Sequence, residues 1–207
     1  MNYNISADVF QEPFPHIIFH NFYDESELKL IWEELDFFTK DGKLFEAKDF
    51  GGVVEKTNSK AIWLDKIYPK QYRHISNILT VNRKVFDEKV LEAFGNVHDC
   101  CFIAKSCNYD TTKVRYYHDG DYYDPHIDKT VQFLGFSYFY REPKRFKGGE
   151  LIFPKYDYKF NCDNNSLIMM PGWVEHGVSQ VKIQDSDYFD GYGRYAITSF
   201  FGNKETE

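Results

Sequence analysis

The chain has 207 residues, of which 43% are hydrophobic and 28% charged, and its 25 basic against 32 acidic side chains leave a net charge of −7. This balance excludes disorder, gives no overall field for a phosphate backbone, and contains no apolar run long enough for a membrane-spanning helix. Aromatics reach 19%, with 20 Phe and 16 Tyr, which favours strands and a pocket walled by rings.

No repeat, low-complexity tract or Pro/Ser-rich linker divides the chain, so one domain over residues 1–207 is expected. Within it, residues 1–99 read as a helical support region with a leading strand, and residues 100–207 as the β core. Residues 1–10 lack a basic start and an apolar run, so no signal peptide is expected. Cys100, Cys101, Cys107 and Cys162 form no Cys-x-x-Cys pair and read as reduced thiols of a cytoplasmic protein. The Asn-x-Ser sequons at Asn4 and Asn164 then carry no meaning.

In chain order, the apolar run Phe14–Phe19 predicts a strand. Asp24 followed by Glu27 predicts a capping box, and Leu28, Ile31, Trp32, Leu35 and Phe38 follow at helical spacing. Residues 41–60, with Gly42, Gly51 and Gly52, read as a loop, either passive or a mobile lid. A second helical segment is expected from Pro69 to Phe94, ended by Gly95 and Asn96. Beyond residue 100 come short runs rich in β-branched and aromatic residues: 101–107, 112–117, 131–140, 151–153, 167–170, 177–181 and 195–201. Helices followed by seven such runs predict an antiparallel sandwich or barrel braced by helices.

The chemistry concentrates in His126-Ile127-Asp128 and His176. Two imidazoles and a carboxylate form the donor set of a non-haem iron site with open positions. In an extended segment the first two side chains point the same way, and His176 can arrive from another strand. Alone the tripeptide is weak. With seven His and 32 acidic residues, roughly one His-x-acid match arises by chance, and a surface His–Asp pair with a separate loop histidine would explain it. Four neighbours strengthen it. Arg194, in a strand-like run, would need an anion if buried. Tyr116, Tyr117, Tyr122 and Tyr123 cluster before His126; phenols there could donate to carboxylates or simply pack. Gly148-Gly149 marks a tight turn, and Pro171-Gly172-Trp173 a turn that could aim His176.

The segments Val114-Arg-Tyr-Tyr-His-Asp-Gly-Asp-Tyr-Tyr-Asp-Pro-His126-Ile-Asp128, Gly148-Gly-Glu-Leu151, His176 and Arg194-Tyr-Ala-Ile-Thr198 together resemble the Fe(II)- and 2-oxoglutarate-dependent dioxygenases of the prolyl 4-hydroxylase branch, over about half the chain. The resemblance implies a mainly β, α+β fold: a double-stranded β-helix, or jelly roll, with the N-terminal helices packed on one sheet. It implies Fe(II) on His126, Asp128 and His176, and 2-oxoglutarate held at its far carboxylate by Arg194 with help from Tyr117, Tyr116 or Tyr138, and Thr198 on Arg194's face. It implies O2 as the oxidant, with ascorbate a candidate accessory reductant. Tyr123 and Trp173 are the substrate-contact candidates. One departure is the spacing of 18 from His176 to Arg194 (194 − 176), longer than that branch usually shows, which reads as an extended loop at 184–192.

The expected reaction is hydroxylation of a prolyl or other residue in a polypeptide. The alternative is a free amino acid or small metabolite. A nucleic-acid dealkylase is disfavoured because such enzymes resemble this pattern but usually carry a second Arg six residues past the clamp, where this chain has Phe200. A non-catalytic jelly-roll binding module is the remaining class.

Overall fold

Asp24 ends an extended approach and opens a helix. Its carboxylate accepts the Glu27 backbone N–H at 2.9 Å, and the Glu27 carboxylate accepts the Asp24 N–H at 2.8 Å, the reciprocal cap its spacing predicts. This helix, α1 (Glu25–Lys40), buries Ile31, Leu35 and Phe38. The computed structural model describes residues 6–47 and 57–204.

Before α1, the strands β1 (Ser6–Phe10) and β2 (His16–His20) pair antiparallel. After it come β3 (Phe45–Glu46), β4 (Thr57–Asn58), β5 (Lys60–Trp63) and α2 (Leu64–Ile67). The stretch read as a loop at 41–60 therefore supplies strands on both flanks. The lid expected there falls in part on residues 48–56, outside the described residues.

The continuous helix expected from Pro69 to Phe94 is instead four short pieces. Turns of 3-10 helix at Lys70–Ile75 and Asn82–Phe86 alternate with α3 (Asn77–Val81) and α4 (Glu88–Gly95). Ser76 and Asp87 take extended backbone angles at the breaks. The Ser76 hydroxyl accepts the Leu79 N–H at 3.0 Å, while the buried Glu34 carboxylate accepts the Ser76 hydroxyl at 2.9 Å and the Ile78 N–H at 2.7 Å. Local side-chain caps thus win over helix propagation. The run 101–107, expected as a strand, lies in a 3-10 segment, Asp99–Ser106. It buries Cys101 and Ala104, three apart, and exposes Phe102 and Ile103, a period of three rather than two.

The remaining strands are β6 (Tyr109–Tyr117), β7 (Tyr122–His126), β8 (Phe133–Phe139), β9 (Phe146–Lys147), β10 (Leu151–Phe153), β11 (Tyr158–Phe160), β12 (Ser166–Pro171), β13 (His176–Val178), β14 (Lys182–Ile183) and β15 (Arg194–Gly202). Among the described residues they form an eight-stranded sheet in the order β1-β2-β12-β8-β15-β6-β5-β3, a five-stranded sheet β11-β10-β13-β7-β4, and a small β14-β9 ribbon. This is the mainly β, antiparallel jelly roll with helices on one sheet that the sequence predicts. One core lies between the large sheet and the helices, with Leu35, Phe38, Val85 and Phe94 against Val114, Tyr195 and Ile197. A second lies between the sheets, around Leu134, Phe153, Ile168 and Met170.

Among the described residues no helix is long and apolar enough to cross a membrane.

Candidate active site

β7 and β13 are neighbours in the smaller sheet, and their register sets His126 directly opposite His176. Each imidazole Nδ1–H donates to the carbonyl two residues back, Asp124 O for His126 and Val174 O for His176, both at 2.9 Å. That bond leaves the lone pair on Nε2 and orients each ring. Asp128 does not lie on the strand, as the extended spacing predicts. β7 ends at His126, and Asp128 starts a turn in which its carbonyl accepts the Val131 N–H at 3.3 Å. The turn aims the carboxylate back, with Oδ1 3.9 Å from His126 Nε2 and Oδ2 3.6 Å from His176 Nε2.

The three ligand atoms all lie within 4.8 Å of one another, close enough to share one ion at metal–nitrogen and metal–oxygen distances of about 2.1 Å after small rotations. His176 is 3% exposed. Burial, with His126 beside it, lowers its pKa to about 4, so the ring is neutral as a metal ligand must be. Tyr123 stacks on His126 at 3.9 Å between centroids, and Phe136 meets His176 edge-on at 5.4 Å.

The triad opens into a cavity of about 380 Å³ between the sheets. β15 lines it with alternate residues, Arg194, Ala196, Thr198 and Phe200, so Thr198 does share the face of Arg194. Arg194 is 2% exposed. Its guanidinium lies over the rings of Tyr117 (4.9 Å) and Tyr138 (4.7 Å), and Nη2 reaches the Cys162 sulfur at 3.5 Å. Nε and Nη1 are buried without a hydrogen-bond partner among the described residues. Gly149, at φ +75°, makes room for this side chain, because a Cβ there would stand 2.8 Å from Arg194 Cδ. The Gly-Gly turn is thus a close-approach device for the cation.

The three candidate tyrosines separate. Tyr117 and Tyr138 line the cavity, and the Tyr138 hydroxyl is buried with no oxygen or nitrogen partner. Tyr116 points to the opposite face. Its oxygen accepts the Gly193 N–H at 2.9 Å and lies 3.2 Å from His118 Nδ1, and its ring packs on Tyr195. The register places it one residue off the cavity face, and it does not line the cavity. Tyr123 lines the cavity. Trp173 does not: it stands 52% exposed in an adjoining open groove with Ile103 and Ile127. That groove shares Asp128 and Val131 with the cavity.

Sequence reasoning missed Lys113 and Arg115, which line the cavity from β6. The signal was present in the period of two that puts residues 113, 115 and 117 on one face. No family model and no curated protein matches the chain. Among solved structures, a Pseudomonas putida prolyl-4-hydroxylase is similar at 13% identity and a TM-score of 0.58, covering 92% of this chain and 93% of that one. A 2-oxoglutarate-Fe(II) oxygenase family oxidoreductase from Burkholderia pseudomallei is similar at 13% and 0.58, covering 90% and 84%. The viral collagen prolyl hydroxylase of Paramecium Bursaria Chlorella virus-1 is similar at 15% and 0.53, covering 90% and 94%. At these identities the likeness establishes the fold: this chain folds as the 2-oxoglutarate- and iron(II)-dependent oxygenases do, prolyl 4-hydroxylases among them.

Proposed function

We propose that this protein is an Fe(II)- and 2-oxoglutarate-dependent dioxygenase that hydroxylates an aliphatic C–H bond. The observation that carries the proposal is the meeting, in one cavity, of a His–Asp–His donor set within 4.8 Å and a buried guanidinium whose Nε and Nη1 have no partner. A cation so buried is costly unless an anion joins it, and the far carboxylate of 2-oxoglutarate fits that need. The donor set suits a divalent iron with positions left open.

Iron bound there would supply oxygen activation, in the net reaction R–H + O2 + 2-oxoglutarate → R–OH + succinate + CO2. The residues do the rest. His126, His176 and Asp128 hold the ion. Arg194 takes the far carboxylate through its fork, and the Tyr138 hydroxyl donates to the same group. Tyr117 and Thr198 wall that end, while Phe136, Leu151 and Val178 keep water from it.

The names carried by the similar structures make a prolyl residue of a polypeptide the first substrate to offer. A free amino acid or small acid is the second reading, favoured by the buried cations on β6. Phe200 packs against Trp63 with ring centres 5.1 Å apart where a nucleic-acid reader would want a cation, which supports leaving nucleic acid aside. Four free thiols support a reducing, cytoplasmic setting. Anaerobic titration with Fe(II) and then 2-oxoglutarate tests the proposal: one iron per chain is expected, with 2-oxoglutarate affinity that depends on it. Affinity indifferent to iron would sink it.

A further inference from the structure

The two histidines of the triad are held differently. His176 has 3% of its side chain exposed and meets Phe136 edge-on, whereas His126 has 18% exposed. The Nδ1–H bond to Asp124 O fixes one atom of the His126 ring. The flat of that ring rests on Tyr123, at 3.9 Å between centroids and 23° between planes.

This stack is not a product of regular strand geometry, in which residues three apart point to opposite faces. Between the same two pairings, β7 uses three residues, Tyr123 to His126 (126 − 123 = 3), where β13 uses two, His176 to Val178 (178 − 176 = 2). The extra residue is a β-bulge, which re-aims the side chains around it, and both rings line the cavity. β13 meets the bulge at Gly177, where a Cβ would stand 2.8 Å from Tyr123 O and 3.0 Å from Pro125 N. Glycine there permits the close approach.

Arg115 reaches the same Tyr123 ring from the large sheet. Its guanidinium carbon is 4.5 Å from the centroid, and its Nη1 donates to Ser59 Oγ at 3.2 Å. Ser59 Oγ lies 3.1 Å from Oγ1 of Thr57, the residue paired with Tyr123 in β4. Arg115 is 6% exposed, and its charge is felt at the triad. Burial and then His126 lower the His176 pKa, and Arg115 adds to the lowering. A fixed positive charge beside a cation site repels the cation, so the position of Arg115 calls for a reason other than its charge. The contact with Tyr123 supplies one.

Resting on the reading above, we infer that Arg115 and Tyr123 are positioning residues for the metal: the guanidinium clamps the Tyr123 ring, and the ring sets the plane of His126, the more open of the two imidazoles. Outer partners of a metal-bound histidine typically change metal affinity by about 10–100-fold. The roles open to Arg115 therefore differ in sign. If it clamps, its loss loosens the metal. If it is a bystander charge or a grip for an acidic substrate, its loss removes repulsion and tightens the metal.

The test titrates the metal-free full chain with Co(II), followed by visible absorption, below the melting transition of every variant. Arg115→Met should raise the Co(II) Kd about tenfold or more, and Arg115→Lys, which keeps a cation by the ring, should recover part of the loss. Tyr123→Phe should bind as the parent does, and Tyr123→Leu as weakly as Arg115→Met. In the Tyr123→Leu background, Arg115→Met should bring no further loss, because nothing remains to clamp; full additivity would overturn the inference. Equal or tighter binding by Arg115→Met, beside a parent that binds, overturns this inference alone. A parent that binds no Co(II) overturns the metal reading and this inference with it. A second readout needs no metal. The ring current of Tyr123 shifts the His126 ring protons upfield, and their NMR signals are identified by their loss in His126→Gln. Those signals should move back toward the free imidazole position in Arg115→Met and stay in place in Tyr123→Phe. Signals unmoved in Arg115→Met overturn the clamp.

Discussion

On β15, Tyr195, Ile197 and Phe201 pack beneath the helices, while Arg194, Ala196, Thr198 and Phe200 look into the cavity. On β6, Val114 and Tyr116 take the first face and Lys113, Arg115 and Tyr117 the second. The same strands therefore obey two rules. Under the helices, three buried phenols find partners: Tyr195 meets Thr39 Oγ1 at 2.7 Å, Tyr116 meets the Gly193 N–H, and Tyr23 meets Asn82 and Ser137 at 3.0 and 3.1 Å, although the Tyr188 hydroxyl, Thr112 Oγ1 and Glu34 Oε1 outside the cavity are also buried without one among the described residues. In the cavity, the Tyr138 hydroxyl and two nitrogens of Arg194 do not. What sets the cavity face apart is that its open groups, two nitrogens of Arg194 and the Tyr138 hydroxyl, are gathered beside the His–Asp–His cluster.

Four measurements break or sharpen this contrast. The largest effect belongs to Asp128→Ala, which removes the carboxylate of the donor set. Iron-dependent succinate formation should fall to background while the melting temperature stays within a few degrees of the parent. A collapse in stability would make Asp128 a structural residue.

On the helix face, Ile197→Ala should cost about 2–5 kcal/mol of stability and leave the 2-oxoglutarate affinity unmoved; chemical denaturation and a binding titration read the two quantities. Arg194→Met should do the reverse. Losing a charge-assisted fork weakens 2-oxoglutarate by about ten- to a hundredfold, and removing a buried cation leaves stability unchanged or raised. If both variants were destabilised alike, the two faces would not differ in kind.

The smallest effect is one of pH. Burial, then Arg115 and Lys66, lowers the Lys113 pKa from 10.5 to about 7, with Asp128 opposing. The unfolded chain then binds more protons than the folded one between about pH 7 and 10.5, so this residue makes stability rise with pH across that window. Thermal melts of metal-free protein should show the rise diminished in Lys113→Met. An identical pH profile in that variant would mean that Lys113 carries an ordinary pKa and lies less buried than described.

Much of the architecture was legible locally. The Asp24–Glu27 box needs only residues three apart, and its helix stands where the spacing puts it. The strands β6, β8, β12 and β15 follow from aromatic and β-branched runs between turn residues. The pieces that were not legible depended on competition. The segment 69–94 has helical periodicity, but the Glu34 carboxylate, arriving from α1, stabilises a break at Ser76 that no local pattern announces. The run 101–107 has strand composition, yet its 3-10 segment buries Cys101 and Ala104, three apart. Which tyrosine lines the cavity could not be chosen from spacing, because Tyr116 and Tyr117 differ only in which side of one strand they occupy.

Alternation along each strand, a property of the backbone alone, determined that Arg194 and Thr198 share a face and that Lys113 and Arg115 share another with Tyr117. Composition and caps determined α1 and the strands β6, β8, β12 and β15. Only the tertiary structure decided that β7 lies beside β13, so that His126 faces His176, and that the turn after β7 swings Asp128 back to both. The reason is that strand order and register are set by hydrogen bonds and packing between segments far apart in sequence, and a site built at such a junction exists only once they have paired.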